Sequence, residues 1–223
     1  LGRLDIRDNV TIVGDTRFDR VAEIAANAKR VELIERFKGN KPLFVAGSTW
    51  GPDEELLIPL MNENPTLKFI IAPHEMDEGR IAHLMEATKG GAVRYTQYTA
   101  ESDLKEKQLL ILDTVGILAS AYGSASWGYI GGGFGVGIHN TLEAATFGLP
   151  IAFGPKYQKF KEACDLLSLG AARSVKSYEE LQEWFIPLRD DEQQLAATSR
   201  LARDYTHSHQ GATRTITQTI FTR

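Results

Sequence analysis

The chain has 223 residues, of which 43% are hydrophobic and 24% charged, a composition typical of a globular protein with a full core. Its formal net charge of -4, with Lys and Arg scattered along the sequence, argues against a nucleic-acid-binding surface. The single cysteine, Cys164, excludes an internal disulfide and indicates a reducing, cytoplasmic compartment, and no uninterrupted apolar run reaches the ~18 residues of a membrane span.

The first half of the chain alternates apolar runs with segments of helical periodicity. Residues 10–13 predict a short β-branched strand that breaks at Gly14, after which Asp15 or Thr16 can cap a helix. That helix carries apolar residues at helical spacing as far as Ile34. Further strands are predicted at residues 43–46, 67–73 and 93–95, and further helices at residues 56–61 and 80–87.

The second half continues the same alternation. A strongly apolar strand is expected at residues 108–113, with a helix from about Val115 onwards. Residues 129–155 have the pattern of a buried strand, a glycine-rich turn, a short helix and a second strand. The remaining predicted elements are a helix at residues 160–169, a strand at 172–175 and two mostly polar helices at 178–184 and 192–205.

These patterns predict the fold class. Continuous apolar strands, each followed by an amphipathic helix, indicate a parallel sheet with helices on both faces, which is an α/β, Rossmann-like fold. No linker or internal repeat divides the chain, so we expect residues 1–223 to form a single domain. In such sheets ligands bind beyond the carboxyl ends of the strands, near the point where the strand order reverses.

Five glycines lie between the strand and the helix of residues 129–155. Their lack of side chains leaves backbone N–H groups able to turn towards an anion, although tight helix–sheet packing is an alternative reason for them. The spacing matches neither the dinucleotide fingerprint nor the phosphate loop of nucleotide triphosphatases, which disfavours NAD and ATP. We expect the run to bind an anion. The glycines are Gly131, Gly132, Gly133, Gly135 and Gly137.

Asn140 and Glu143 stand three residues apart at the start of the next helix, so both side chains lie on one face. A carboxylate at this place can accept hydrogen bonds from both hydroxyls of a ribose. The same spacing is close to a capping box, in which Glu143 would reach back to the start of its own helix. The spacing alone leaves both readings open. The neighbouring His139 can donate to a phosphate or serve a structural role.

Ser48 and Thr49 precede a helix whose first turn contains three acids. Acids at that position complement the helix dipole and would compete with a bound phosphate. The helix near His139 has no acid before Glu143, so the phosphate is expected there, while Ser48 and Thr49 contact the sugar or cap their helix. The three acids are Asp53, Glu54 and Glu55.

No other motif in the sequence defines a catalytic or metal site. His207 and His209 stand in a polar, terminal context that does not favour a metal pair. We find no Cys/His cluster, no defined Ser/His/Asp arrangement and no paired carboxylates of the hydrolase type. We therefore expect no bound metal.

Five segments taken together resemble the 3-deoxy-D-manno-octulosonic acid (Kdo) transferases of lipopolysaccharide assembly. Their order and spacing cover nearly all of the chain, and the last segment is specific in its combination of residues. The segments are residues 14–20 (GDTRFDR), 45–55 (VAGSTWGPDEE), 70–75 (IIAPHE), 113–118 (DTVGIL) and 129–163 (YIGGGFGVGIHNTLEAATFGLPIAFGPKYQKFKEA).

The resemblance implies a GT-B glycosyltransferase, in which two Rossmann-like domains face each other across a cleft. This chain looks like the carboxyl-terminal, donor-binding half, with the amino-terminal acceptor domain absent. The family moves Kdo from CMP-Kdo to a lipid A precursor without a metal ion or other cofactor, at the cytoplasmic face of the inner membrane. The acceptor site, the membrane-facing surface and the glutamate base lie on the other half, so the resemblance implies no catalytic residue here and an inactive fragment.

The resemblance also assigns donor-binding residues. Glu143 is implied as the ribose contact. The family's G-S-T loop is matched by Gly47, Ser48 and Thr49. Its nucleotide turn is matched by Gly132 and Gly133. Its H-N-x-L-E segment is matched by His139, Asn140 and Glu143.

The chain departs from the family at three places. Its third strand is followed by His74, Glu75 and Met76 where many members have Arg-His-Pro-Glu, so the family's cationic donor contact has no arginine at this point. Prolines of the family's N-P-L-E-P segment and a common glutamate are also replaced. The residues that replace them are Thr141, Ala144 and Ile117.

Two other functions are compatible with the sequence. One is a GT-B protein that uses a UDP-sugar, or a related sugar-nucleotide epimerase. The other is a nucleotide-binding domain that performs no chemistry. Relative affinity for CMP and UDP separates the first from a Kdo transferase.

Overall fold

The computed structural model describes residues 10–99 and 103–221 and contains seven parallel strands in one sheet. The strands are β1 (Leu43–Thr49), β2 (Lys68–Pro73), β3 (Ala92–Arg94), β4 (Leu109–Ile111), β5 (Trp127–Ile130), β6 (Ile151–Phe153) and β7 (Ala172–Ser174). Their order in the sheet is β3-β4-β2-β1-β5-β6-β7, and every neighbouring pair is parallel. The predicted fold class is confirmed.

Helices cover both faces of this sheet. They are α1 (Thr16–Asn27), α2 (Glu32–Lys38), α3 (Gly51–Glu63), α4 (Glu78–Ala87), α5 (Leu118–Gly123), α6 (Leu142–Thr146), α7 (Lys161–Ser168), α8 (Tyr178–Asp190), α9 (Glu192–Ser208) and α10 (Ala212–Phe221). Helices α3, α4 and α8 pack on one face, and α1, α2, α5, α6, α7 and α9 pack on the other. None of the helices within the described residues is both long and apolar enough to cross a lipid bilayer.

Two hydrophobic cores lie on opposite sides of the sheet because successive strand residues point in opposite directions. In β1, Val45 belongs to the core under α1 and α5, while Phe44 belongs to the core under α3 and α8. In β2, Ile70 belongs to the first of these cores and Ile71 to the second. Because both faces are buried, the strands are continuous apolar runs in the sequence, which is why they could be predicted.

The strand order places a crevice between β1 and β5. From β1 the chain runs to β2, then to β3 at the edge and to β4 between them, and it then returns to place β5 on the opposite side of β1. Gly47 of β1 pairs with Ile130 of β5, so the carboxyl ends of the two strands are adjacent. Ligands of open α/β sheets bind at such a reversal of strand order.

Two predictions for the first forty residues were wrong. Residues 10–13 form no strand, and Ile12 is 95% exposed, because β-branched residues make a strand only where a neighbouring strand supplies hydrogen bonds. The helix expected to continue to Ile34 is interrupted at Ala28, whose backbone is extended, so that α1 and α2 are separate. The predicted cap is confirmed, since the Asp15 side chain accepts a hydrogen bond from the Arg17 N–H.

Helix α10 was not predicted. Its segment is rich in Thr and Ile, whose β-branched side chains lower helix propensity. Its first turn is capped from the other end of the chain, because Asp19 accepts hydrogen bonds from the N–H groups of Gly211 and Thr213 at 2.6 and 2.7 Å. A cap that lies 192 residues away leaves no signal in the local sequence.

Candidate functional site

The carboxyl ends of β1 and β5 are in direct backbone contact. The Gly131 N–H donates to the Gly47 carbonyl at 2.9 Å, and a Cβ atom on Gly131 would lie 2.1 Å from the Ser48 carbonyl oxygen. Ser48 itself has a φ of 55°, and the register of β1 against β2 shifts between Gly47 and Thr49. Glycine is therefore required at position 131, where the two strand ends meet.

Asp53 joins the start of α3 to the glycine turn. Its buried carboxylate accepts three hydrogen bonds of 2.9 Å, from the Tyr129 hydroxyl, the Gly132 N–H and the Trp50 N–H. Burial raises the pKa of Asp53, and these hydrogen bonds oppose the rise. Sequence reasoning treated Asp53 only as an acid at a helix start and missed this tie, which holds the turn in position.

Most of the glycine N–H groups are used within the turn itself. The N–H groups of Gly135 and Gly137 donate to the Gly132 carbonyl, and those of Gly131 and Gly132 donate to Gly47 and Asp53. The expectation that the run presents free N–H groups to an anion is therefore wrong for these four glycines. They shape the turn, and Gly132 has a φ of 93° that favours glycine.

Gly133 fixes the next loop against the turn. A Cβ atom at this position would lie 2.6 Å from the Cα of Gly154, and the Gly133 carbonyl accepts a hydrogen bond from the Lys156 N–H at 2.9 Å. The loop after β6 is thereby held beside the loop after β5. Neither Gly132 nor Gly133 lines the cavity described next.

A cavity of about 160 Å³ lies between the ends of β1 and β5. It brings together five of the eight residues that the sequence and the family resemblance single out. A wider cavity, of about 480 Å³ between α1 and residues 116–120, contains none of them. The residues that line the smaller cavity are Gly47, Ser48, Leu118, Tyr122, Ile130, His139, Asn140 and Glu143.

Thr49 is turned away from this cavity. Its hydroxyl donates to Glu54 at 2.8 Å, and the side chain is fully buried. Arg80 pairs with the same Glu54 carboxylate at 2.7 Å and donates to the Thr49 carbonyl at 3.1 Å. Arg80, which sequence reasoning missed, therefore forms an ion pair with Glu54 at the carboxyl end of β1.

The contact between Asn140 and Glu143 differs from a capping box. The Asn140 Oδ1 accepts from the Leu142 N–H at 3.0 Å, and its Nδ2 donates to Glu143 Oε1 at 3.1 Å. Glu143 thus bonds a side chain rather than the backbone at its helix start. Helix α6 is only five residues long, little more than one turn, so few peptide dipoles are aligned there to attract a phosphate.

Three aromatic rings, those of Trp50, His74 and His139, contact one another, and His139 lines the cavity. The Trp50 and His74 ring centroids are 4.7 Å apart, and those of His74 and His139 are 4.4 Å apart. The Trp50 indole N–H also lies 3.4 Å from His139 Nε2, which assigns Nε2 as the acceptor and leaves the ring proton on Nδ1. Burial lowers the pKa of His139, and the nearby His74 adds to that effect. The imidazole of His139 is therefore neutral at pH 7.

No group of three or more His, Cys, Asp or Glu side chains is arranged to hold a metal ion within residues 10–99 and 103–221. Two of the titratable side chains that line the cavity, His139 and Glu143, are hydrogen-bonded within the protein. What the arrangement offers chemically is hydrogen bonding from His139, Glu143 and a buried phenol.

Solved structures confirm the fold class, the carboxyl-terminal half of a GT-B fold. The carboxyl-terminal CMP-Kdo binding domain of WaaA from Acinetobacter baumannii matches with a TM-score of 0.63 and 20% identity, over 82% of this chain and 98% of that domain. The carboxyl-terminal domain of LpcC, a group 1 family glycosyl transferase from Francisella tularensis, matches with a TM-score of 0.55 and 12% identity, over 82% and 96% of the two chains.

The sequence is related to the Kdo transferases, as its five segments predict. It is 31% identical to the 3-deoxy-D-manno-octulosonic acid transferase of Rickettsia bellii over 183 residues, or 78% of this chain and 42% of the relative. It is 29% identical to that of Chlamydophila psittaci over 133 residues, or 58% and 30%. The chain thus spans less than half the length of these relatives. No protein-family model matches it.

Proposed function

We propose that this chain is the donor-binding domain of a Kdo transferase, and that residues 1–223 form this one domain. In the full-length enzyme it would bind CMP-Kdo, whose Kdo is transferred to a lipid A precursor in lipopolysaccharide biosynthesis. The observation that carries the proposal is the cavity at the reversal of strand order, lined by five residues that match the family's donor site.

Each residue that matches the family's donor site has a proposed role. Glu143, whose Oε1 already accepts from Asn140, would accept a further hydrogen bond from a ribose hydroxyl. Gly47 and Ser48 would form the wall against the sugar. His139 would donate to the phosphate. Thr49, Gly132 and Gly133 would act indirectly, because their contacts hold the strand ends and the turn in position.

The proposed chemistry needs hydrogen-bond donors beside the departing CMP. CMP leaves as a phosphate monoester, so negative charge grows on its phosphate oxygens in the transition state, and preorganised donors stabilise that charge. His139 supplies one such donor at the cavity. No metal or cofactor is required by this scheme.

The acceptor hydroxyl must also lose a proton to a base. We propose that the base, the lipid A precursor site and the contact with the cytoplasmic face of the inner membrane belong to another domain of the full-length enzyme. The 223-residue chain is then expected to show no transfer activity with CMP-Kdo and a lipid A precursor. Turnover by this chain would contradict that division of labour.

Titration of the 223-residue chain with CMP, UMP and UDP, followed by calorimetry or NMR, tests the proposal. We expect CMP to bind with a Kd on the order of 0.1–1 mM, because a few hydrogen bonds of ~1 kcal/mol each must also offset the entropy of association. UMP and UDP should bind more weakly. Tighter binding of UDP would favour a UDP-sugar transferase or epimerase instead.

A further inference from the structure

The hydroxyl of Tyr122 is a polar group that the fold does not use. The side chain, on α5, is 2% exposed and lines the 160 Å³ cavity. Among residues 10–99 and 103–221 its hydroxyl has no hydrogen-bond partner. By contrast, the hydroxyls of Tyr129 and Tyr205 donate to Asp53 and Asp165, each at 2.9 Å. The Tyr122 oxygen is not among the fully enclosed unpaired atoms, so it is open to the cavity and can pair with a ligand there.

The position of this hydroxyl depends on a glycine. A Cβ atom on Gly47 would lie 2.2 Å from the Tyr122 oxygen, far inside van der Waals contact. Burial raises the pKa of Tyr122, and the charge of Glu143 adds to that rise. The phenol therefore stays protonated at physiological pH and serves as a hydrogen-bond donor.

The cavity thus presents a donor, Tyr122, and a carboxyl acceptor, Glu143, to one small ligand group. A hydroxyl group satisfies both at once, because it can donate to a carboxylate while its oxygen accepts from a phenol. A phosphate oxygen cannot donate to Glu143, and an ammonium group cannot accept from Tyr122. At about 30 Å³ per water molecule, the cavity holds roughly the volume of a pentose.

We propose that Tyr122, together with Glu143, recognises a ribose hydroxyl and makes the site select ribonucleotides over deoxyribonucleotides. The inference rests on the proposed function insofar as the ligand is a nucleotide, and it adds the residue that determines sugar specificity. Tyr122 acts in binding rather than in bond breaking.

The test compares the wild-type chain with Tyr122→Phe in titrations with CMP, 2′-deoxy-CMP and 3′-deoxy-CMP. We expect the substitution to raise the Kd for CMP about 3- to 10-fold, the range for the loss of a single neutral hydrogen bond. It should leave one of the two deoxynucleotides unchanged, because that ligand already lacks the hydroxyl that Tyr122 contacts. The melting temperature should not fall, since the hydroxyl has no partner to lose.

Tyr205→Phe is the matched control. It also removes a buried tyrosine hydroxyl, but one bonded to Asp165 and outside the cavity. It should lower the melting temperature without changing the ratio of CMP to deoxynucleotide affinity. Equal weakening of all three ligands by Tyr122→Phe, or no weakening of CMP, would overturn the inference.

The same experiment separates the two proposals. If the wild-type chain prefers UDP, the Kdo transferase proposal fails, while Tyr122 is tested in the same way with UDP and its deoxy analogues. If Tyr122→Phe leaves the sugar preference intact in a chain that binds CMP, only the role of Tyr122 fails. Failure of the wild-type chain to bind any of these nucleotides would overturn both.

Discussion

The carboxylate of Asp53 accepts a 2.9 Å hydrogen bond from the backbone N–H of Gly132, which lies 79 residues further along the chain. The same side chain accepts from the Tyr129 hydroxyl and from the Trp50 N–H. One buried acid thus joins the loop after β1 to the turn after β5. These are the two segments that flank the candidate donor site.

Asp53→Ala should lower the free energy of unfolding by about 2–5 kcal/mol, because three buried donors lose their acceptor at ~1–3 kcal/mol each and the structure relaxes in part. Asp53→Asn should cost much less. The amide oxygen can accept from both N–H groups, and the amide nitrogen can donate to the Tyr129 oxygen.

Urea unfolding of both variants measures the difference. Glu55→Ala, an exposed acid on the same helix, is the control and should change stability by no more than about 0.5 kcal/mol. An equal loss in the alanine and asparagine variants would mean that the charge of Asp53, rather than its acceptor geometry, holds the turn.

Glu143→Gln should weaken CMP binding about 10-fold, because the proposed ribose contact is a hydrogen bond to a charged acceptor. Unfolding by urea should change little, since Glu143 is half-buried and bonds only the exposed Asn140 side chain. Glu54 is not a suitable control, because it is buried and paired with Arg80. The exposed Glu55→Gln serves instead, and a similar loss of CMP affinity in both variants would remove Glu143 from the site.

Arg17→Met should destabilise the fold by about 1–3 kcal/mol. Arg17 donates at 2.7 Å to Glu162, whose side chain is only 4% exposed and would lose its ion-pair partner. The half-exposed guanidinium moderates the loss through solvent screening. Arg20→Met on the same helix removes a fully surface pair with Glu23 and should cost no more than about 0.5 kcal/mol. Equal unfolding midpoints for the two variants would contradict the expected difference.

Lys68 gives a prediction for alkaline pH. Its buried ammonium donates to the carbonyls of Leu104, Lys105 and Lys107, and burial lowers the pKa of Lys68 to about 8, from 10.5 in an exposed lysine. Between these values the unfolded chain binds more protons than the folded chain. The contribution of Lys68 to the free energy of unfolding therefore rises as pH increases from about 8 to 10.5.

Lys68→Met isolates this contribution, because the other titrating groups are common to both proteins. The stability of the wild type relative to Lys68→Met should increase across that pH range in urea titrations at fixed ionic strength. The nearby charge of Lys41 lowers the pKa further, while Glu106 and Asp103 oppose it. Parallel pH profiles for the two proteins would show that the Lys68 pKa is close to its ordinary value.

The sheet could be predicted because its strands are buried on both faces. An apolar run such as residues 69–71 can be recognised as a strand from its own composition. Residues 10–13 have similar composition but no adjacent strand, and α10 has a poor helical composition but a distant cap at Asp19. Residues 10–13 lack the hydrogen bonds of a neighbouring strand and form no strand, whereas α10 gains hydrogen bonds to Asp19 and forms a helix. In both cases tertiary hydrogen bonding overrides the local preference.

The candidate site was predictable only in part. The family motif singled out Glu143, His139 and the glycines as candidates. The motif does not show which glycine N–H groups form hydrogen bonds within the turn. Trp50 and His139 are 89 residues apart in the sequence and in contact in the fold, and no local pattern encodes such a pairing. Tyr122 was missed for the same reason, since its environment is created by Gly47 and Glu143 from two other elements.

The close approach of Gly131 to Ser48 has a consequence for protein engineering. With only 2.1 Å between the Ser48 carbonyl and the place of a side chain at position 131, neither loop can change its path without displacing the other. Replacing these loops with those of a homologous protein therefore requires residues 47–50 and 131–133 to be exchanged as a unit. Libraries that randomise one loop alone would mostly yield chains in which the two strand ends no longer meet.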